Sequence, residues 1–347
     1  MTEKIRIGNI TIGGGEPVAI QSMTTFKAAD ENSTVRQILA LEKAGCDIAR
    51  FAVSDEEDVA AISRIKKRVH IPLVADIQFD YRLAIASADA GIDKVRINPD
   101  NIGSEEKVKA VADAVKANRI PVRVGSNSGS IRKEYLEKYG VSAEALGESA
   151  LAEVAHLEKY GVNDIVISVK ASNVPLCVAA YRYVSCRTGY PLHLGVTEAG
   201  TKESGIIKSS IGIGALLLDG IGDTVRVSLS ADPVEEIYAA KKILSGVGLR
   251  KNCAEVVACP TCGRCMWDAI GMAKKVEDLV KDVEVPLKIA VMGCVVNGVG
   301  ESADADLGIA GAKGGAALFV KGKVVKTVKK EDVEREFLAL LSEITEK

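Results

Sequence analysis

The sequence predicts an α/β protein: a (β/α)8 barrel over residues 1–250, followed by a small α/β domain over residues 251–347. Three observations predict it. Eight short β-branched runs occur in the first 245 residues, and a segment of helical period follows each. The chain has 347 residues, enough for a barrel of about 250 residues and one further domain. Apolar residues make up 47% but aromatics only 4%, so the core is built from Ile, Val, Leu and Ala.

The eight runs begin at Val18, Ile48, Leu73, Lys94, Pro121, Asp164, Leu192 and Thr224. Between them lie stretches such as "EEDVAAISRIKKRV" and "EEKVKAVADAVKANR", with apolar residues at three- and four-residue steps and charges opposite. In "KAGCD", "DAGID" and "KYGVND" a glycine stands just past a helix end. A doubly wound open sheet is the competing fold. It would show fewer strands and a glycine-rich loop after the first of them. Here "IGGGEP" (12–17) precedes the first long strand and reads as the turn of an N-terminal hairpin. Residues 128–150 are long for a connection and predict a lid or an extra short helix. After a boundary near 245–252, "AEVVACPTCGRC" reads as a strand entering a turn, "MAKKVEDLVKDV" as a helix and "LKIAVMGC" as a second strand. "ALFVKGKVVKTV" reads as a hairpin turning at Lys321 and Gly322, and "KEDVEREFLALLSEITEK" as a closing helix.

A formal net charge of −2 argues against nucleic-acid binding by bulk charge. No apolar run approaches a membrane span, and the first residues carry no signal core, so a cytoplasmic protein is expected. Eight cysteines in such a chain argue against a disulfide framework. Cys46, Cys177 and Cys186 read as small buried thiols, and Cys253 is ambiguous. Structural roles are expected for His70, His156 and His193.

Chemistry in a (β/α)8 barrel sits at the carboxyl ends of the strands. Those ends carry Arg50, Asp76, Arg96 with Asn98, Arg123 with Asn127, Lys170, Thr197 with Glu198, and Arg226 with Ser228. Any one arginine is explained equally well by a salt bridge. Five cations at successive strand ends would repel one another without an anionic ligand, and guanidinium forks suit a phosphate or diphosphate. "GTKESGIIKSS", after the seventh strand, offers a helix start to the same anion. Glu198, at a strand end among cations, is a candidate acid/base or hydrogen-bonding group.

The cysteines of "ACPTCGRC", Cys259, Cys262 and Cys265, are spaced for metal ligation, and Cys294 follows in "MGCVVNG". Structural zinc wants two cysteine pairs or a cysteine–histidine mixture, and no histidine follows His193. Zinc on Cys259, Cys262, Cys265 and Cys294 stays open. An iron–sulfur cluster fits better, with close thiolates in a turn and one remote thiolate in a glycine-rich loop. Gly293, Gly298, Gly300 and Gly308 allow the backbone to wrap closely, and Glu301 lies seven residues beyond Cys294.

Together "ACPTCGR", "VMGCVVNGVGE" with "ADLGIAG", "VADIQFDYRLA", "VRINPDNIG", "LHLGVTEAG" and "SSIGIGALLLDGIGDTVRVSLS" resemble the bacterial 4-hydroxy-3-methylbut-2-enyl diphosphate synthases. The resemblance runs in order through both domains. It implies a barrel with a [4Fe–4S] domain, acting on 2-C-methyl-D-erythritol 2,4-cyclodiphosphate in isoprenoid biosynthesis by the methylerythritol phosphate route. The activity is reductive ring opening with two electrons. The resemblance places cluster ligands at Cys259, Cys262, Cys294 and Glu301. It places substrate contacts at Arg50, Arg96, Arg123, Asn127, Lys170, Thr197, Glu198 and Ser228, with Glu198 and Glu301 as catalytic groups. With no nicotinamide or flavin fingerprint in the chain, a flavodoxin or ferredoxin is the implied donor. Two positions depart from the family: Cys265, where a non-cysteine residue is usual, and Gln78, where histidine is common.

The eighth helix would run from the catalytic face to the opposite face, descending about 20 Å. A short linker there would leave from the end remote from the mouth. A two-fold dimer in which each second domain caps the partner's barrel is therefore expected. The competing functions are a barrel transferase or lyase on a phosphorylated ligand with a structural zinc tail, and a non-enzymatic electron carrier or docking module.

Overall fold

The computed structural model describes residues 1–283, 285–294, 296 and 302–345. The chain divides into two compact units, Met1–Leu249 and Arg250–Lys347. Among the described residues no helix is long and apolar enough to cross a membrane.

The first unit opens with a hairpin of β1 (Ile5–Ile7) and β2 (Ile10–Ile12). Eight parallel strands follow: β3 (Ala19–Met23), β4 (Ile48–Ala52), β5 (Leu73–Asp76), β6 (Lys94–Arg96), β7 (Val122–Val124), β8 (Ile165–Ile167), β9 (His193–Leu194) and β10 (Thr224–Val225). Their order is β8-β7-β6-β5-β4-β3-β10-β9, and a bridge between Ile167 and Leu192 brings the two outer strands together. The expected (β/α)8 barrel is thus the observed one. Its helices are α1 (Glu31–Lys43), α2 (Glu56–Lys66), α3 (Tyr81–Asp89), the short α4 (Pro99–Ile102), α5 (Glu105–Asn118), α6 (Lys133–Tyr139), α7 (Ala143–Glu158), α8 (Val174–Ser185), α9 (Lys202–Leu218) and α10 (Pro233–Gly246). Of the two expectations for residues 128–150, the extra short helix is found, as α6.

Local chemistry starts most of these helices. Asp30, Asp55, Asp80, Ser142, Asn173 and Asp232 each cap a first turn by accepting a backbone N–H. Strand parity then sorts the side chains. Ile20, Ala49, Phe51, Leu73, Ala75, Val95, Val122, Ile165 and Val225 face outward into one apolar cluster with the helices. The alternate set, Gln21, Arg50, Asp76, Lys94, Arg96, Arg123 and Ser168, lines the barrel. An interior of this kind normally holds branched aliphatics.

Only the lowest layer of the interior is apolar. Ala19, Ile48, Val74 and Val166 meet Ile5, Ile7 and Ile12 of the hairpin, which stoppers the barrel at the amino ends of its strands. The hairpin turns at Gly8 and Asn9, with Gly8 at φ +55°, not at "GGGEP" as the sequence suggests. Three glycines in a row outweigh a single Gly–Asn pair as a turn signal, yet they follow β2 as a loop. Gly13 is confined there by the Glu3 carbonyl, 2.0 Å from where a β-carbon would stand.

The second unit is a five-stranded sheet in sequential order: β11 (Ala254–Ala258), β12 (Leu287–Met292), β13 (Leu307–Ala312), β14 (Gly315–Val320) and β15 (Lys323–Lys329). The first three strands are parallel and the last two pairings antiparallel. The helices α11 (Ala269–Val280) and α12 (Val333–Thr345) belong to this unit. Met272 and Val276 of α11 and Phe337 and Leu341 of α12 pack with Ile289, Ile309 and Leu318. A separate small cluster holds Ala290, Met292, Ala305, Ala310 and Phe319, with Cys259 against it. The β14–β15 hairpin turns at Lys321 (φ +47°) and Gly322 (φ +72°), as expected. Strand β13 was not expected, because two glycines in "LGIAGA" weaken its strand signal. Gly308 belongs to that strand and is not part of a wrapping loop. It pairs with Phe319, whose ring fills the place of its missing side chain, with Cζ 2.0 Å from an ideal β-carbon.

The stopper carries a prediction. Ile7 is fully buried. Ile7→Ala should destabilise the chain by about 2–5 kcal/mol, read as a lower urea midpoint. An unchanged midpoint would mean that the hairpin contributes nothing to barrel stability.

Candidate functional site

The mouth of the barrel is built around charge. Arg50 on β4 places its Nε 3.8 Å from Asp76 Oδ2, and Arg96 on β6 places an Nη 3.1 Å from Asp76 Oδ1. At an effective dielectric of 20, each such contact is worth about 4 kcal/mol before desolvation is counted. Asp76 is therefore a pivot that fixes two guanidinium groups. Arg123 on β7 is buried and donates to Ser168 Oγ at 3.1 Å. Lys170, just past β8, is buried, and its backbone pairs with that of Asn127. Arg226, just past β10, reaches Glu236 of α10 at 3.5 Å. Glu236 also accepts from Ser22 Oγ at 2.8 Å and Leu229 N at 3.0 Å.

One cation buried below the mouth was not expected as a site residue. Lys94 on β6 is fully buried, and its ammonium lies 3.5 Å from Gln21 Oε1. Strand parity would have found it, because it stands two residues before Arg96 and so points the same way. His193, on β9, is also fully buried, with Nδ1 2.8 Å from Thr224 Oγ1.

The electrostatics show what the arrangement lacks. Burial raises the Asp76 carboxyl, but Arg50 and Arg96 outweigh it and hold the group below the usual range. Burial pulls Arg50 down to about 10 even with Asp76 beside it. Burial, then repulsion among the cations, pushes Lys94, Arg123 and Lys170 well below their ordinary values. His193 is pushed down by burial and then by Lys170 and Arg123. Arg50, Arg96 and Arg123 stand around Asp76 and Arg226 pairs with Glu236, with Lys94 and Lys170 buried among them, so basic groups outnumber carboxylates here. A multiply charged anion would satisfy the guanidinium and ammonium donors and relieve the repulsion together.

Glu198 lies on the loop after β9, exposed, with φ +51°. A non-glycine residue held in the left-handed region stores backbone strain, a feature that gathers at functional sites. Thr197 beside it and Ser228 after β10 are half-buried, as is Asn127. Arg50 and Arg123 stand within their strands, Arg96 at a strand end, and Asn127, Lys170, Thr197, Glu198 and Ser228 in the loops that follow. Gln78 is exposed on the loop after β5.

The thiols occupy the second unit. Cys259 follows β11 and Cys294 lies two residues past β12, so both stand at the carboxyl ends of adjacent parallel strands. The Gly293 N–H donates to Cys259 Sγ at 3.1 Å. Cys262 is exposed and Cys294 buried, and Thr261 between Cys259 and Cys262 has φ +59°. Among the described residues no three His, Cys, Asp or Glu side chains gather closely enough to hold a single metal ion. The expected ligand Glu301 lies outside the described residues. Cys259, Cys262 and Cys294 fit an iron–sulfur group on donor chemistry: soft thiol ligands, one already accepting a backbone N–H, beside a glycine that leaves room.

The GcpE TIM-barrel domain model matches residues 2–241, and the GcpE protein C-terminal domain model matches residues 255–343. The chain belongs to the GcpE family. Relatives in this family are similar over their whole length. One from Caldanaerobacter subterraneus subsp. tengcongensis is 55% identical, covering 97% of this chain and 96% of its own. One from Thermotoga petrophila is 54% identical, covering 100% and 99%. Both are named 4-hydroxy-3-methylbut-2-en-1-yl diphosphate synthase (flavodoxin). Among solved structures, a dihydropteroate synthase from Vibrio fischeri superposes with a TM-score of 0.52 at 14% identity, over 70% of this chain and 98% of that one. One from Yersinia pestis gives 0.51 at 12%, over 71% and 99%. These two share the barrel fold alone.

Lys94 yields a prediction with a definite sign. Its folded value lies below the ordinary 10.5, so between the two the unfolded chain binds the extra proton, and stability from this site rises with pH. Lys94→Met removes that slope. Its stability relative to the parent should be greatest at the low end of the pH range and decline as pH rises toward 10.5. Urea melts of both ligand-free chains at several pH values read the difference. A pH-independent difference would contradict a Lys94 amine held below its ordinary value.

Proposed function

We infer that this chain converts 2-C-methyl-D-erythritol 2,4-cyclodiphosphate to 4-hydroxy-3-methylbut-2-enyl diphosphate in isoprenoid biosynthesis. It is an oxidoreductase supplied with electrons by flavodoxin. The observation that carries this reading is the surplus of buried positive charge at the barrel mouth, in a chain whose full-length relatives bear that enzyme's name. The same names favour this activity over a transferase or lyase with a zinc tail.

The chain's own residues divide the work. Arg50 and Arg96, fixed by Asp76, present guanidinium forks to the diphosphate, with Arg123, Lys170 and Arg226 around them. Asn127, Thr197 and Ser228 offer hydrogen bonds to the remaining oxygens. The reaction takes up two electrons and a proton and releases water. Glu198, on its strained loop, would hold that proton at its carboxyl oxygen. Cys259, Cys262 and Cys294 would hold a [4Fe–4S] group, with Glu301 as an oxygen ligand. The group supplies single electrons and a Lewis-acidic iron when bound.

A homodimer completes the proposal. Helix α10 begins at Pro233, just past the mouth, and ends at Gly246, about 20 Å along. The chain therefore leaves the barrel at the end remote from the mouth. A second copy, related by a two-fold axis, would bring its cysteine domain to that mouth.

Two experiments test this. Protein purified anaerobically should be brown, hold about four irons and four sulfides per chain, and turn over the cyclodiphosphate with reduced flavodoxin. Colourless protein with one zinc would overturn the reading. Glu198→Gln should lower kcat by about 10²–10⁴-fold, and Cys294→Ser should abolish turnover. Mixing the two variants under subunit exchange should restore part of the activity. No recovery, with exchange verified, would rule out capping by the partner.

A further inference from the structure

Cys265, the last cysteine of "CPTCGRC", has no part in the ligand set above, yet its sulfur points at the same place as that of Cys259. The Cys265 N–H donates to the Cys262 carbonyl at 2.8 Å and folds the chain back on itself. On one side of this turn Cys259 N–H donates to the Val291 carbonyl at 3.3 Å. On the other, Met266 N–H donates to the Gly293 carbonyl at 3.1 Å. Both ends of the turn are thus pinned to the last residues of β12 and the glycine after it. The sulfurs converge over Gly293: a β-carbon there would lie 2.7 Å from Cys265 Sγ and 3.4 Å from Cys259 Sγ. Two atoms so close to one point are within roughly 6 Å of each other, a gap that side-chain rotation would have to close for a bond to form. Cys262 is exposed and Cys294 is buried.

We propose that Cys265 is the resolving thiol of Cys259: in the chain free of its iron–sulfur group, a two-electron thiol oxidant joins the two sulfurs in a disulfide. Two S–H bonds break and one S–S bond forms; the two electrons and two protons reduce diamide to its hydrazine, or hydrogen peroxide to water. The disulfide keeps Cys259 off the irreversible steps of thiol oxidation until a reductant returns it. This protective role rests on the cluster proposed above; the bond itself does not.

The test uses the full chain, stripped of iron by a chelator without oxygen, treated with diamide, alkylated and digested with trypsin. Cleavage after Arg264 places Cys259 in one peptide and Cys265 at the start of the next. The expected product is these two peptides joined, separable by dithiothreitol, with fragmentation placing the bond at Cys259. A Cys259–Cys262 loop within one peptide, a link from Cys265 to Cys253, Cys262 or Cys294, or fully alkylated thiols would each overturn the proposal. As a second arm, Cys265→Ser made anaerobically should carry the parent's iron, sulfide and visible absorbance. After peroxide, then dithiothreitol with added ferrous iron and sulfide, it should regain several-fold less cluster than the parent. Equal recovery, or loss of iron in the untreated variant, overturns the proposal; the latter would make Cys265 a ligand. A parent chain that binds no iron would refute the cluster, and the peptide map alone would then decide whether the disulfide forms.

Discussion

Surplus positive charge buried inside a barrel is the constraint on which this molecule turns. Burying a guanidinium or ammonium group costs several kcal/mol unless it is paired. Here Asp76 pairs with two guanidinium groups and Glu236 with one, and the remaining cations repel. The fold withstands this only because its stability is lodged elsewhere. Outward-facing Val, Ile, Leu and Ala side chains lock the strands to the helices, and the hairpin closes the bottom with isoleucine. The interior is thereby released from the packing duty it usually has. It stores electrostatic free energy that a bound anion would recover.

The second unit solves a different problem with the same device, a pair of parallel strands joined through a helix. Their carboxyl ends present Cys259 and Cys294 side by side, and the small residue between strand and cysteine, Gly293, leaves room for sulfur. Helices α11 and α12 supply the apolar contacts that hold the sheet, so the thiol end is spared from packing. In both units the candidate site residues lie where backbone geometry gathers strand ends, and apolar contacts lie elsewhere.

Glycine has two uses in the thiol region, and sequence alone does not tell them apart. Gly293 is small because sulfurs approach it; Gly308 is small because the Phe319 ring lies across it. Both stand in the same run, and only cross-strand pairing separates a cradle from a packing contact. The glycines at 13–15 teach the same lesson: they advertise a turn, yet the hairpin turns at Gly8 instead.

The sequence by itself determined the eight strand–helix units, their order, the cations at the strand ends and the cysteine spacing. All of these depend on period and on neighbours near in the chain. The long motifs also brought the family into view before any coordinate. Only the tertiary structure decided which cations share a carboxylate and that Glu198 is held in a strained backbone conformation. It also decided that Cys265 and Cys259 converge on one glycine. These facts depend on pairing between residues tens of positions apart, or on how strands and turns close over one another, and no local pattern along the chain encodes that.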